Sequence, residues 1–461
     1  MVAAPGTPDW WLERLYKQIR DRLPFVKEWD DWYSGEHPDP MGYEKAGPLL
    51  ARILEATGLN MMSVVTDAPL DRMHLEGFKV GGKVNDDIWA IWQGNNFDRS
   101  AGQILQEKMA LSASYGLVDP NLNAAGVPTM TPEHPLQCVT ENYPGSTRRV
   151  AGLKVWLDDL GETPLLWAML YLENEVHAYA APTRVWAQQR NTMALRPVWE
   201  YQGTFSGANP LGEVPLVPFL NRPRMLKAPL PEFHPALPVQ KRINKTLLDR
   251  MAMQDAGAFK AKWATGLQIP VDPATNQPVE PFAVAIDRLF VNENEKGSFG
   301  QFEAEDIKQM LEAVRDDVAD CAMVVPTSPD AILGKLVNVS GDGLKLAQVS
   351  EIKRTRRHIK FDEESFEDLA RLSLKAAGKD VPNVASMTTV WRNVEYRTEA
   401  EASDAATKAI GNGMPHEAAW ERYYGATPDE IKDWNKKLDA RATREAAVGV
   451  KAVRDAAASG N

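Results

Sequence analysis

Residues 342–377 read as one long helix closed by Gly378, roughly 54 Å at 1.5 Å per residue. The proline-dense connector upstream and the 14 Trp of the chain add to this constraint. Together they predict surfaces that a monomer leaves unburied, because large aromatics concentrate in cores and subunit interfaces. At 461 residues the chain exceeds one ordinary core of roughly 100–200 residues, so two to four domains are expected. Cys138 and Cys321 stand far apart in the sequence, which fits neither a disulfide framework nor a zinc site and suits a reducing cytoplasm. Met1–Gly6 lacks the basic and apolar regions of a signal peptide. The apolar run Pro164–Leu172 is half the length of a membrane span and reads as a buried strand.

The net charge of −11 bears on partners. Proteins that grip DNA present a basic face and gain affinity through counterion release. An acidic chain that handles DNA is therefore expected to do so without holding it.

The first 60 residues read as helical, with Trp10, Trp11, Leu15 and Ile19 at helical spacing, Pro24 as an interruption, and a second helix at 47–57. A short strand is expected at Leu75–Val80, followed by helix from Asp86. Residues 117–220 change to short alternating runs broken by Pro and Gly, the pattern of an antiparallel β region. Eight prolines between Pro210 and Pro238 leave no room for a regular element. Helices follow at 239–260 and 303–324, each with one apolar stripe. Between them lies an insert at 265–300 with a strand-like core at 283–291. The last 80 residues read as helical and Ala/Glu-rich.

Four stretches carry a resemblance. Asp71-Arg72-Met73-His74-Leu75-Glu76-Gly77-Phe78 resembles a "DR-hydrophobic-x-hydrophobic-x-GF" strand, and Ile91-Trp92-Gln93-Gly94-Asn95-Asn96-Phe97-Asp98 an "IWxxNxLD" helix start. Val214-Pro215-Leu216-Val217-Pro218-Phe219-Leu220-Asn221-Arg222-Pro223 resembles a "VPVVPFxNRP" connector. Asn338-Val339-Ser340-Gly341-Asp342-Gly343-Leu344-Lys345 resembles an "NxSGxALK" helix start. In this order, across residues 45–440, they resemble the portal proteins of tailed bacteriophages, notably siphoviruses of actinobacteria. Tyr115-Gly116-Leu117-Val118-Asp119 and Gly343 depart from the family's Gly-x-Ala-Tyr-Val and Ala.

The resemblance implies an α+β, mostly helical portal fold in a ring, usually of twelve subunits. It implies a wing over residues 1–235, stem helices at 236–264 and 301–325, and a clip at 265–300. A tunnel loop would span 326–341, a long wing helix 342–378, and a helical crown 379–461. Double-stranded DNA would pass without sequence specificity. The implied partners are the large terminase, the head-tail adaptor, the major capsid protein and scaffold, in the virion and in the host cytoplasm during assembly. Leu333, Lys335, Asn338 and Ser340 are expected to face the channel, since small polar and basic side chains touch phosphates without reading bases. A bland reading makes the same segment a surface connector.

The basic run Lys353-Arg354-Arg356-Arg357-His358-Lys360 is followed by Asp362-Glu363-Glu364. It could face DNA, but Arg354, Arg356, Arg357, Glu363 and Glu364 are expected to pair between subunits. The carboxylate pairs Asp86-Asp87, Asp158-Asp159 and Asp316-Asp317 invite a two-metal nuclease. Adjacent side chains diverge, however, and no His completes a site. Gly82-Lys83, Gly334-Lys335 and Gly378-Lys379 lack the Ser/Thr that follows the lysine of a phosphate-binding loop, which excludes a packaging ATPase. No cofactor, no metal and no enzymatic activity are expected. The rivals are a DNA-processing enzyme and another virion component, either a capsid subunit or a head-tail adaptor.

Overall fold

The computed structural model describes residues 4–38, 58–183, 197–258, 262–265, 298–301, 307–328, 341–395 and 399–458. The chain folds as two units. One comprises residues 1–37, 60–237 and 322–461, and the other residues 38–59 and 238–321. The elements run in chain order as α1 (Pro8–Ser34), α2 (Met61–Leu70), β1 (Leu75–Val80), β2 (Lys83–Val84), α3 (Asp86–Gly94) and α4 (Phe97–Leu111). Eight strands follow: β3 (Ala113–Leu122), β4 (Pro128–Glu133), β5 (Cys138–Asn142), β6 (Arg149–Asp158), β7 (Leu165–Leu172), β8 (Glu175–Pro182), β9 (Glu200–Tyr201) and β10 (Gly207–Ala208). Next come β11 (Leu216–Leu220), α5 (Leu237–Ala258), β12 (Lys262–Thr265), β13 (Ser298–Gln301), α6 (Ile307–Val324) and α7 (Gly341–Ala376). The chain closes with β14 (Met387–Trp391), α8 (Glu399–Gly411), α9 (His416–Ala419) continued by a π turn to Tyr424, and α10 (Pro428–Ala458). The class is α+β.

In the first unit, β10-β8-β7-β6-β5 form one antiparallel sheet, with β9 also pairing β8. The apolar run read as a buried strand forms β7, and its burial alternates, with Leu166, Ala168 and Leu170 fully buried and Leu165, Trp167 and Met169 half-buried. They pack with Leu12, Leu15, Tyr16 and Ile19 of α1, each large side chain contributing about 1.5–3 kcal/mol on burial. Thr7 caps α1 by accepting from the Trp10 amide, and Gly35 ends it at φ 86°. The expected break at Pro24 does not occur. A proline inside a helix costs roughly 3 kcal/mol, and burial of Val26 and Trp32 beyond it offsets that cost.

A second sheet has the order β11-β3-β4. Its strand β11 lies within the proline-dense stretch where no regular element was expected. Pro218 pairs with Tyr115 on the outer strand, the sheet position where a missing N–H leaves no inner ladder bond unmade. Gly116 of β3 lies under α7, where an added Cβ would stand 2.9 Å from Leu369 Cδ1.

The third sheet, β14-β1-β2, corrects the wholly helical reading of the last 80 residues. Met-Thr-Thr-Val-Trp at 387–391 is rich in strand formers and pairs antiparallel with β1. Regular helix therefore resumes only at Glu399. The aromatic centre of the adjoining core is Trp92. Its ring lies 4.7 Å from Phe97, 5.4 Å from Phe78 and 5.8 Å from Phe366 of α7, centre to centre. Its Nε1 donates to Asp98 Oδ1 at 2.7 Å. Asn95, between the two helices, holds Ile91 O and Pro128 O and accepts from the Met130 amide. Residues 91–98 are thus an architectural joint.

In the second unit, α5 and α6 are joined by Arg242, which reaches Asp317 at 2.5 Å and Asp320. Thr246 Oγ1 donates to Asp317 Oδ2 at 3.0 Å. The strands β12 and β13 pair antiparallel, Lys262 opposite Gln301 and Thr265 opposite Ser298. The expected helix at 47–57 and strand core at 283–291 lie outside the described residues.

Candidate functional site

The long helix α7 organises the polar interior of the first unit. Glu351, Arg354, Thr355, His358 and Asp362 are buried, whereas Lys353, Arg356, Arg357, Lys360 and Glu364 are exposed. This is the 3.6-residue period of a helix with one face inward, so the basic run is divided between two faces.

The inward face holds the backbone that follows α6. Glu351 Oε2 accepts from the Ser328 amide at 2.7 Å. Arg354 Nη1 donates to Pro326 O at 2.9 Å and Thr327 Oγ1 at 3.3 Å, and its Nη2 to Val65 O at 2.6 Å. Arg72 of the "DR" motif locks Glu351 from the other side at 2.6 Å and also donates to Val394 O. Each charged group here has a partner, as a buried charge requires. Residues 326–328 are thereby fixed to the level of 351–354 on α7, about 15 Å along the axis from Gly341 at 1.5 Å per residue.

One to two turns on, Glu232 is fully buried. Its carboxylate lies 3.3 Å from His358 Nε2, 3.3 Å from Arg222 Nη1 and 3.6 Å from Arg354 Nε. Burial pushes this carboxyl up, but His358, Arg222 and Arg354 outweigh it and hold it at about 2. Burial lowers the His358 imidazole against the pull of Glu232, which favours the neutral ring. Beyond it, Lys108 Nζ of α4 donates to both Asp362 oxygens, at 2.8 and 2.6 Å. Burial raises the Asp362 carboxyl, and Lys108 opposes that shift. At the far end, Arg371 and Lys375 grip Glu213. Burial raises that carboxyl, and the two cations bring it to about 2.

The expected channel residues Leu333, Lys335, Asn338 and Ser340 lie outside the described residues. Of the residues expected to pair between subunits, Arg354 is buried and bonded within its own chain. Arg356 pairs with Glu395, and Glu363 with Lys360 at 3.4 Å. Arg357 and Glu364 are exposed. Three of these carboxylates are ion-pair partners: Asp86 with Lys432, Asp87 with Lys379, and Asp317 with Arg242. Among the described residues no cluster of three or more His, Cys, Asp or Glu could hold a metal. No described helix is long and apolar enough to cross a membrane.

Sequence reasoning missed Glu351, Glu232, Ser328 and the Lys108–Asp362 pair. One signal was available. Lys108 interrupts the apolar face made by Ile104, Leu105 and Met109, and a lysine there must find a carboxylate.

The family model described as "Phage portal protein, SPP1 Gp6-like" matches residues 12–444. The portal protein of Mycobacterium phage D29 is 26% identical over 409 residues, covering 83% of this chain and 78% of its own. That of Mycobacterium phage L5 is 25% identical over the same length and shares. A solved structure titled "Neck of native GTA particle computed with C12 symmetry" aligns over 86% of this chain and 98% of its own. Its TM-score is 0.40 at 10% identity, too remote to bear on the assignment. With a match running through every described element from α1 into α10, this chain belongs to the phage portal protein family of the SPP1 Gp6-like type.

Proposed function

We propose that this chain is one subunit of a ring, of about twelve copies, that sits at a single capsid vertex and passes double-stranded DNA into and out of the head. The observation that carries the reading is the family match from residue 12 to 444, which takes in both helices of the second unit and the long helix of the first. In this reading residues 1–235 are wing, α5 and α6 are stem, and 265–300 are the clip. Residues 326–341 are the tunnel loop, and the helices from α8 onward lie toward the crown. The large terminase and the head-tail adaptor dock on the clip in turn. Major capsid protein and scaffold surround the ring as the head assembles in the host cytoplasm.

The chemistry of conduction is the avoidance of grip. A net charge of −11 per chain repels the phosphate backbone, so DNA is not retained by contacts that each step would have to break. The tunnel loops touch phosphates weakly through Lys335 and limit slippage. Glu351 and Arg354 support this role by holding the start of that segment rigidly to α7. The motor supplies the work, and the ring supplies shape.

The test places a photo-crosslinking amino acid at position 335 in particles stalled during packaging. Covalent capture of DNA at 335, with no capture from a probe at exposed Lys437, is expected. Equal or absent capture at both positions refutes the conduit assignment of this loop.

A further inference from the structure

Between β11 and α5 the chain makes a turn whose tip is apolar and fully exposed. Met225 is 94% and Leu226 104% accessible. The base is rigid, because Asn221 is buried and donates to Leu230 O at 2.8 Å, and Arg224 and Lys227 bridge below the tip. Leu226 has φ 59°, a left-handed conformation that Asn and Asp adopt far more readily than Leu. The tip therefore goes against local preference twice, in solvation and in backbone. Its flanks carry Arg224 and Lys227 and no carboxylate from 222 to 228.

The same unit contains a cavity of complementary character. It has a volume of about 530 Å³, within the range of roughly 300–1,000 Å³ that accommodates a ligand-sized group. Met73, Trp89 and Leu105 wall it, and Asp71, Glu76 and Asp98 bring three carboxylates against one guanidinium, Arg392. A closed ring needs heterologous contacts, in which one patch of a subunit meets a different patch of the next. An apolar tip between cations and an apolar cavity among carboxylates make such a pair.

We propose that the Met225–Leu226 tip of one subunit seats in the cavity beside Trp89 of a second copy of this chain, and that this contact closes the ring. The inference rests on the ring reading above and adds the surfaces that meet. Specificity comes from Arg224 and Lys227 facing Asp71 and Asp98 across the seam, while burial of the two apolar side chains provides the attraction.

Two experiments on the full-length chain test it. Leu226→Asp places a residue suited to φ 59° in an exposed position, so the isolated subunit keeps or gains thermal stability. Ring yield by native mass spectrometry is nevertheless expected to fall at least tenfold. In the second, Leu226→Cys is combined with Gly102→Cys, a cavity-lining position where an added Cβ meets nothing within 4 Å. Mild oxidation should give a ladder of linked subunits on a denaturing gel, absent from either single variant. Wild-type yield from Leu226→Asp, or rings of the double variant that stay unlinked, overturns the contact alone. A wild-type chain that never forms rings overturns the ring reading and the contact with it.

Discussion

Removing Lys108 should cost far more than a surface lysine, and the structure sets the size of the effect. The side chain is 0% exposed and its partner Asp362 2%. Lys108→Met keeps the volume and the apolar stem but leaves a carboxylate inside the protein without its cation. Breaking a buried pair from one side costs about 3–5 kcal/mol, whereas replacing both partners by apolar groups is often neutral or stabilising. Lys108→Met combined with Asp362→Leu should therefore recover most of the loss, with a coupling of at least about 2 kcal/mol in the double-mutant cycle. The pH dependence has a defined sign. Burial raises the Asp362 carboxyl, and without Lys108 only the smaller pull of His358 opposes that rise, so the folded form of Lys108→Met binds a proton more tightly than the unfolded chain. Its deficit should shrink as pH falls from 7 toward 5. The assay is urea unfolding of dilute subunits followed by tryptophan fluorescence, since Trp92 lies against Phe366, one turn from Asp362 on α7. A cost below about 1 kcal/mol for Lys108→Met, or additive single effects, would refute the buried-pair argument.

Glu351→Gln keeps the shape but weakens the acceptor for Ser328 and Arg72, so hydrogen exchange at the Ser328 amide should rise at least tenfold with ring yield unchanged. Glu232 titrates at about 2 against 4.5 unfolded, so its contribution, about 3 kcal/mol at 1.36 kcal/mol per unit, is present above pH 4.5 and lost as pH falls toward 2. His358, lowered from 6.5 by burial, adds a loss that starts as pH falls below 6.5; Glu232→Gln should flatten the step below 4.5 in a urea-midpoint profile while the loss below 6.5 persists, since removing the pull of Glu232 lowers His358 further. Gly116→Ala forces a methyl against Leu369 at 2.9 Å and should cost about 1–3 kcal/mol in the same unfolding assay, as overpacking does. Deleting residues 268–297 across a short Gly/Ser linker should leave rings that form but do not recruit the packaging motor, read as empty heads in infected cells.

Much of the architecture is legible along the chain because it depends on local pattern. The apolar period of 342–377, the stripes of α5 and α6 and the apolar run of β7 all lie within single segments. What escapes is decided by distant neighbours. Pro24 breaks a helix unless burial beyond it, as of Val26 against Ala110 and Leu111 of α4, makes continuation worthwhile, and Pro218 excludes a strand unless that strand is an edge. Residues 387–391 become β14 because β1, some three hundred positions earlier, offers a free edge. The candidate site divides in the same way. Lys108 and Asp362 stand 254 residues apart, so the lysine signals that a carboxylate is needed without saying which. Arg354 looks like its exposed neighbours in a basic run. Only the helical phase of Glu351, Thr355, His358 and Asp362 separates it from them, and only the fold shows that Pro326 and Val65 await it.

The central claim is that this chain builds a closed ring around an opening that passes duplex DNA. Single-particle images of the purified full-length protein test it most directly. The account predicts end-on views of a closed ring, about twelve-fold, with a continuous central opening wide enough for double-stranded DNA. A population of monomers or dimers across all salt and protein concentrations, or rings without a central opening, would contradict it.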